Sequence, residues 1–80
     1  MIHDLKILPD YFHAVCTGDK PFEVRKNDRP YQCGDLLQLR EWTPDTGYTG
    51  NSTHVEVTYI LSDPAYVKDG FVIMGLNIAP

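Results

Sequence analysis

The sequence is poor in cysteine and contains no long apolar run. Its two cysteines, Cys16 and Cys33, are too few for a disulfide framework, so we expect small apolar fillers or free thiols. No apolar stretch approaches the roughly 18 residues that suggest a membrane span. The first residues also lack the basic-then-apolar layout of a secretory signal. These absences predict a cytoplasmic protein with no membrane partner.

Excess positive charge is missing as well. Eleven Asp and Glu residues outnumber seven Lys and Arg residues, which gives a net charge of −4 at pH 7. A domain that grips duplex phosphates is usually strongly basic, so this class of protein is disfavoured. Five of the seven basic residues nevertheless fall between Lys20 and Arg40. A local basic site on an acidic body predicts a small or short anionic ligand rather than a long duplex.

Motifs for metal binding and for nucleophilic catalysis are absent too. His3, His13 and His54 have no paired ligand spacing with the two cysteines, which argues against a zinc site. The chain has no glycine-rich phosphate loop, and no Cys or Ser nucleophile is placed beside a base. From the residues themselves we therefore predict no metal, no cofactor and no catalytic residue.

What the sequence does contain is enough apolar material for one core. Eighty residues allow a single domain spanning residues 1–80. A chain of this length buries only about 60–65% of the surface that its unfolded form exposes. The apolar fraction of 42% and the nine aromatic residues make an efficient core of that size feasible.

The N-terminal part predicts a strand followed by a helix. Residues 5–8 form a short apolar strand, which Pro9 ends. Proline costs nothing in the first turn of a helix, and Leu8, Phe12 and Val15 then recur on one helical face. Gly18 is the expected C-terminal stop of this helix.

Beyond the helix, alternation of apolar and polar residues predicts further strands. They lie at residues 21–25, 36–42, 54–61 and 71–78, with turns or loops at 26–30, 33–35, 43–52 and 62–70. Residues 71–78 are apolar on both faces, which is typical of a central, buried strand. Core positions are predicted for Tyr11, Phe12, Tyr59, Phe71 and Met74. Five short strands and one early helix favour a mainly β (α+β) fold, a small bent or closed barrel with the helix on one side.

The segment at residues 18–25 carries the clearest functional signal. Glu23 and Arg25 are two residues apart on one strand face, so their side chains start roughly 6.5–7 Å apart. Arginine offers a planar fork of donors suited to phosphate, and glutamate accepts from a base N–H. Lys20 adds a third, more mobile charged group. The alternative interpretation is a surface ion pair between Glu23 and Arg25 that has no role in binding.

Three further residues extend this candidate ligand site. Arg29, in the polar turn after the strand, either contacts a phosphate or is simply solvated. Trp42 and Tyr48 flank a polar loop, and aromatic residues in such positions stack on unpaired bases in single-strand binders. Packing over one end of the barrel is the equal alternative for Trp42. The predicted ligand residues are therefore Lys20, Glu23, Arg25, Arg29, Trp42 and Tyr48.

The spacing of the charged segment resembles a known family signature. Gly18-x-Lys20-x-x-Glu23-x-Arg25 is similar to the GxKxxExR motif of ASCH domains, a branch of the PUA-like fold. More closely, the chain resembles the short DUF3850 proteins of bacteria and phages. That likeness covers nearly the whole sequence, with HDLKI at residues 3–7, EVRKNDR at 23–29, REW at 40–42, YTG at 48–50 and VTYIL at 57–61.

The resemblance implies a PUA-like β-barrel with a ligand cleft between barrel and helix. Some ASCH relatives hydrolyse the amide of N4-acetylated cytidine with a lysine, a threonine and a glutamate. Lys20 matches their lysine, but Glu23 stands where the threonine nucleophile would be. Thr17 lies on the wrong side of Lys20 to replace it simply. Because one of the three catalytic roles lacks its residue, the resemblance implies binding more than hydrolysis, and kinship of fold alone does not restore the activity.

We therefore predict a small PUA-like/ASCH barrel of about five strands with one N-terminal helix, which binds single-stranded RNA or a nucleotide-like ligand. The first alternative is a hydrolase of the same fold that acts on a modified nucleoside or RNA. It requires a hydroxyl or an activated water against Lys20, with an acid nearby. The second alternative is an interaction adaptor that uses the loop at residues 43–52, for which an exposed apolar patch would be the sign.

Overall fold

Most of the chain is organised into strands, with one short helix near its start. The computed structural model describes residues 1–78. Its elements in chain order are β1 (Ile2–Ile7), α1 (Pro9–Thr17), β2 (Phe22–Lys26), β3 (Leu36–Thr43), β4 (Gly47–Leu61) and β5 (Phe71–Ile78). The predicted mainly β composition, with five strands and one early helix, is confirmed.

The five strands form one sheet that curls into a half-barrel. Their spatial order is β1-β3-β4-β5-β2. β1 runs parallel to β3, whereas the other neighbouring strands are antiparallel. β1 and β2 are consequently the two edges of the sheet, and each has one side without a strand partner among residues 1–78. The barrel is therefore open between β1 and β2.

The helix α1 forms as its sequence predicts. Pro9 occupies the first turn, Asp10 adds a favourable negative charge there, and Phe12 and Val15 are buried. Gly18 ends the helix with φ = 84°, a left-handed conformation that glycine adopts without steric cost. No helical structure within residues 1–78 has the length and apolar character that crossing a bilayer requires.

The core joins the helix to four of the strands. Its buried apolar side chains are Leu5, Ile7, Phe12, Val15, Leu37, Leu39, Val55, Val57, Val72 and Met74. Phe12 and Met74 are core residues, as predicted. Tyr11 and Tyr59 are instead 54% and 66% exposed, so their predicted core positions are wrong. Phe71 is half-buried.

A β-bulge explains the exposure of Tyr59. Val57 pairs with Leu76 and Tyr59 with Gly75, so β4 has one more residue than β5 over this stretch. One extra residue turns every following side chain to the opposite face. Tyr59 therefore points outward, and Ile60 packs against the core in its place. Gly75 fits here because a Cβ atom would lie 3.0 Å from Thr58 Oγ1.

The predicted loop at residues 43–52 is wrong. β3 extends to Thr43 and β4 already begins at Gly47, so the segment is mostly a hairpin with an irregular pairing between Arg40 and Trp42. The buried Glu41 lies at this irregularity. Thr49 Oγ1 and Asn51 Nδ2 donate to its Oε1 at 2.7 and 3.1 Å, and these hydrogen bonds lower the pKa of Glu41. The polar residues that suggest a loop here thus satisfy a buried carboxylate.

The strand β5 is interior but not central. It lies between β4 and the edge strand β2, while β4 occupies the middle of the sheet. Val72 and Met74 on its inner face are buried, whereas Ile73 on its outer face is only half-buried. The apolar outer face of β5 thus faces neither a helix nor a second sheet among the described residues.

A buried hydrogen bond between His3 and Asp35 connects β1 to the residue that precedes β3. His3 Nε2 donates to Asp35 Oδ2 over 2.8 Å, and the backbone N–H of Gln32 donates to the same oxygen over 2.9 Å. The centre of the Tyr31 ring lies 4.7 Å from the centre of the His3 ring. The His3 hydrogen bond, with a smaller contribution from Gln32, lowers the pKa of Asp35 from 3.8 to about 2.

This carboxylate predicts an acid dependence of stability. Because Asp35 binds its proton less readily in the folded than in the unfolded chain, its contribution is complete above about pH 4 and is lost towards about pH 2. We expect Asp35→Asn to be less stable than the wild type at pH 6. On acidification the variant should then lose less stability than the wild type does, because it lacks the Asp35 carboxylate. Urea midpoints measured from pH 6 to pH 2.5 test this. Wild-type and variant curves that stay parallel over that range would contradict it.

Candidate functional site

The open side of the half-barrel forms a cleft beside α1. Its volume is about 480 Å³, and it lies where β1, α1 and β2 approach one another. The lining residues are Lys6, Ile7, Leu8, Tyr11, Lys20, Glu23, Val24, Arg25, Lys26 and Phe71. A cleft of this size falls within the range of small-molecule sites in proteins.

The end of the helix places Lys20 in this cleft. After Gly18, the backbone N–H of Lys20 donates to Ala14 O over 3.0 Å, which fixes the direction of the chain as it leaves α1. The Lys20 ammonium then donates to Phe22 O over 2.9 Å and to Glu23 Oε1. It also lies 5.5 Å from the centre of the Tyr11 ring. Lys20 is therefore held on both its backbone and its ammonium group.

The Glu23 side chain lies inside the half-barrel. It pairs across the sheet with the fully buried Met74 and is itself only 3% exposed. Lys20 contacts Oε1, and Arg25 Nε donates to Oε2 over 2.8 Å. Both Glu23 carboxylate oxygens thus accept hydrogen bonds from cations. The alternative of a surface ion pair is wrong, because the Glu23 carboxylate is buried between the half-buried side chains of Lys20 and Arg25. Glu23 holds Lys20 and Arg25 in place.

Arg25 bridges the two edges of the sheet. In addition to its bond with Glu23, its Nη2 donates to the backbone oxygen of Lys6 in β1 over 2.6 Å. The side chain therefore crosses from β2 to β1 where no strand pairing closes the barrel. Two of its five N–H donors are used by these contacts, so further donors are available for a ligand.

Arg29 lies next to this cleft rather than in it. It lines a smaller cavity of about 170 Å³, together with Leu5, Arg25, Lys26, Asp28 and Tyr31. The two cavities share Arg25 and Lys26. Arg29 is therefore a neighbour of the charged cluster, and its contact with a phosphate stays a prediction.

Trp42 and Tyr48 lie outside this cleft. They pair with each other across β3 and β4, and neither lines the cleft around Lys20. The Lys6 ammonium lies 4.7 Å from the ring centre of the half-buried Trp42. The Arg40 guanidinium stacks 3.7 Å above the exposed Tyr48 ring. The structure thus brings Lys20, Glu23 and Arg25 together, adds Arg29 beside them, and separates the two aromatic residues from them.

A comparison of the sequence with known families matches one of them. The sequence profile of the domain of unknown function DUF3850 matches residues 2–76, which includes every residue of the cleft. The chain belongs to the DUF3850 family.

One similar protein is known from a bacteriophage. The DUF3850 chain is 35% identical over 68 residues to an uncharacterized 12.9 kDa protein in the GpA 3′ region of Escherichia phage P2. The match covers 85% of this chain and 62% of the phage protein. The DUF3850 chain thus spans less than two thirds of the length of that relative.

The cleft of this DUF3850 domain concentrates positive charge. Four cationic side chains and one carboxylate line it, although the whole chain carries a net charge of −4. The Glu23 carboxylate forms ion pairs with Lys20 and Arg25. Lys6 and Lys26 are exposed. The remaining wall is apolar or aromatic, with Ile7, Leu8, Tyr11, Val24 and Phe71. Such a surface suits an anion that also carries a flat, apolar part.

Several cleft residues were not predicted from the sequence of the DUF3850 domain. Lys6 belongs to β1, far from the charged segment in the chain, and Tyr11 and Phe71 were predicted as core residues. Their roles depend on the approach of β1 and β2, which no local pattern reveals. The one usable signal was the outward position of Lys6 in a strand whose inner face is apolar. Among residues 1–78 no group of three or more His, Cys, Asp and Glu side chains is arranged to hold a metal ion.

Proposed function

We propose that the cleft beside α1 binds a nucleotide, either free or as part of a short single-stranded RNA. The observation that carries this proposal is the surplus of cations in a cleft whose other wall is apolar and aromatic. Cations bind phosphate, and an aromatic or apolar wall provides a stacking surface for a base. The order of motifs through residues 18–25 and the half-barrel support a further proposal, that this DUF3850 domain is of the PUA-like/ASCH type.

Each charged residue of the cleft has a role in this proposal. Arg25 is fixed by Glu23 and by Lys6 O, so it presents its remaining N–H groups to a phosphate at little further entropic cost. Lys20, held by Glu23 and Phe22 O, retains one N–H donor. Lys6 and Lys26 add exposed charge at the rim. Tyr11, exposed at the end of the cleft, offers a ring for a base.

The two alternative functions have no observation of comparable weight. The hydrolase requires a hydroxyl or an activated water against Lys20, and the Lys20 ammonium contacts Glu23 and a backbone oxygen. The adaptor requires a loop at residues 43–52, and that segment is mainly a β-hairpin. Nucleotide binding therefore remains the function that the cleft supports best.

Substitution of the cleft cations tests the proposal. We expect Arg25→Gln to weaken binding of uridine 5′-monophosphate and of a short oligouridylate by roughly 5–150-fold, the effect of losing a charge-assisted hydrogen bond of about 1–3 kcal/mol. Lys26→Gln should weaken it less, because Lys26 forms no ion pair within residues 1–78 and is exposed. Isothermal titration at two salt concentrations measures both effects. The salt dependence should be shallow, since few phosphates are neutralised.

A matched control is Arg40→Gln, which removes the same charge outside the cleft. It should bind as the wild type does. Wild-type affinity in a folded Arg25→Gln and in Lys26→Gln would refute the cleft as the binding site. Should Arg25→Gln fail to fold, Lys26→Gln decides the matter, and an unchanged affinity there would leave the charged segment with a structural role only.

A further inference from the structure

A second cavity adjoins the cleft at Arg25. Arg25 and Lys26 line both spaces, and the second one, of about 170 Å³, extends towards Arg29 and Tyr31. The bond from Arg25 Nη2 to Lys6 O crosses between the two edge strands at this point. The Arg25 guanidinium therefore lines two adjoining cavities and does not belong to one alone.

The second cavity has the charge of an anion site. Three cations, Arg25, Lys26 and Arg29, line it against one carboxylate, Asp28. Neither Lys26 nor Arg29 forms an ion pair with another residue of the described chain. Five of the seven basic residues of the protein consequently line the two cavities together. Only Arg40 and Lys68 lie outside them.

The lining of the second cavity differs from that of the first. The larger cleft has a broad apolar and aromatic wall, whereas the smaller cavity is bordered by only Leu5 and Tyr31 besides its charged groups. Tyr31 is half-buried and packs against His3, so its ring is not presented as a free stacking surface. The smaller cavity therefore suits a phosphate without a base.

We propose that this second cavity is a phosphate subsite, and that the ligand carries two phosphate groups separated by a nucleoside. The inference rests on the proposed function of the larger cleft. One phosphate binds near Lys20 and Arg25 in the larger cleft, and the other binds between Arg25 and Arg29. The Arg25 side chain lies between the two cavities, so a ligand that fills both places one phosphate on each side of it. The 3′ and 5′ phosphates of one nucleoside are held further apart than two directly linked phosphates. The ligand class is thus a 3′,5′-phosphorylated nucleoside unit, as in a strand of RNA, rather than a nucleoside diphosphate.

Titration with three defined uridine compounds tests the subsite. The probes are uridine 5′-monophosphate, uridine 5′-diphosphate and uridine 3′,5′-bisphosphate, measured against the wild type, Arg29→Gln and the control Arg40→Gln. In the wild type we expect the bisphosphate to bind about 10-fold more tightly than the monophosphate, and the diphosphate to gain less. Arg29→Gln should abolish the gain of the bisphosphate and leave monophosphate affinity within about twofold. Arg40→Gln should retain the gain.

The outcomes separate this inference from the proposed function. Monophosphate binding without any gain for the bisphosphate, or a gain that survives in Arg29→Gln, would overturn the subsite and leave the cleft proposal intact. An equal gain in affinity for the diphosphate and the bisphosphate would contradict the claim that the two phosphates of the ligand are separated by a nucleoside. Failure of all three compounds to bind would refute both proposals together. The Arg29 side chain is exposed and forms no hydrogen bond or ion pair with another residue of 1–78, so Arg29→Gln should fold normally.

Discussion

Met74→Asp should leave the protein unfolded at 25 °C. Met74 is fully buried in β5, between Glu23 of β2 and Ile60 of β4. The substitution removes a large apolar side chain and places a carboxyl group beside the existing Glu23 carboxylate, with no cation left to pair with it. Burying an unpaired charge costs several kcal/mol. A domain of this length has a total stability of only roughly 4–12 kcal/mol, from about 0.05–0.15 kcal/mol per residue.

Circular dichroism with a thermal scan measures this effect, and two variants serve as controls. Met74→Leu conserves volume and should cost less than about 1.5 kcal/mol. Ile73→Asp places the same charge on the half-buried outer face of the same strand, where water reaches it. It should fold with a lowered melting temperature. A cooperative transition in Met74→Asp, or equal disruption by Ile73→Asp, would show that the inner face of β5 is assigned wrongly.

The elements that depend on local sequence were predictable. The helix begins at Pro9 and ends before Gly18, because a proline in the first turn and a glycine at the C-terminus act within a few residues. Strands β2 and β5 lie within one or two residues of their predicted positions. The alternation in β2 and the apolar run in β5 are both continuous, and neither strand contains an extra residue that would reverse the direction of its side chains.

The errors occur where pairing between strands overrides the local pattern. Tyr59 continues the apolar alternation of Val55 and Val57, but one extra residue in β4 turns its side chain outward. The residues at 43–52 have the composition of a loop, yet most of them belong to the hairpin of β3 and β4, whose pairing is irregular between Arg40 and Trp42. A bulge depends on the length of the partner strand, and that information is not local.

The candidate site shows the same division. Lys20, Glu23 and Arg25 are close in sequence, so their cluster is visible in the spacing alone. Which face of β2 they occupy is not visible, because Phe22 and Val24 on the other face are apolar and suggest the core. The structure places those apolar residues outside and the charged ones inside. The reason is that β2 is an edge strand whose inner face opens on the cleft, where Lys20 and Arg25 neutralise Glu23.

This arrangement predicts opposite effects of Glu23→Ala on stability and on anion binding. The carboxylate separates Lys20 and Arg25, whose side chains are only 18% and 23% exposed. Its removal leaves two neighbouring cations without a counter-charge. Loss of one partner from a fully buried pair costs about 3–5 kcal/mol. Because solvent partly screens Lys20 and Arg25, we expect a smaller loss of about 1–3 kcal/mol.

The same change should make the cleft a stronger anion site. In Glu23→Ala a phosphate can occupy the position next to Lys20 and Arg25 that the carboxylate has vacated. Ligand that binds only the folded state raises its stability in proportion to RT ln(1 + [L]/Kd). Inorganic phosphate should therefore raise the melting temperature of Glu23→Ala more than that of the wild type. Glu23→Gln, which retains an oxygen acceptor, should fall between the two.

The matched control for this experiment is Asp4→Ala. Asp4 pairs with Arg40 at 3.3 Å on the exposed surface, so its removal changes the net charge by the same amount away from the cleft. It should cost less than about 1 kcal/mol and leave the response to phosphate unchanged. A phosphate response in Asp4→Ala equal to that in Glu23→Ala would mean that net charge alone is responsible. Unchanged stability in Glu23→Ala would mean that the carboxylate does not hold Lys20 and Arg25 in place. Only a loss of stability that phosphate restores in Glu23→Ala alone is consistent with a carboxylate that balances the charges of Lys20 and Arg25 in the free protein.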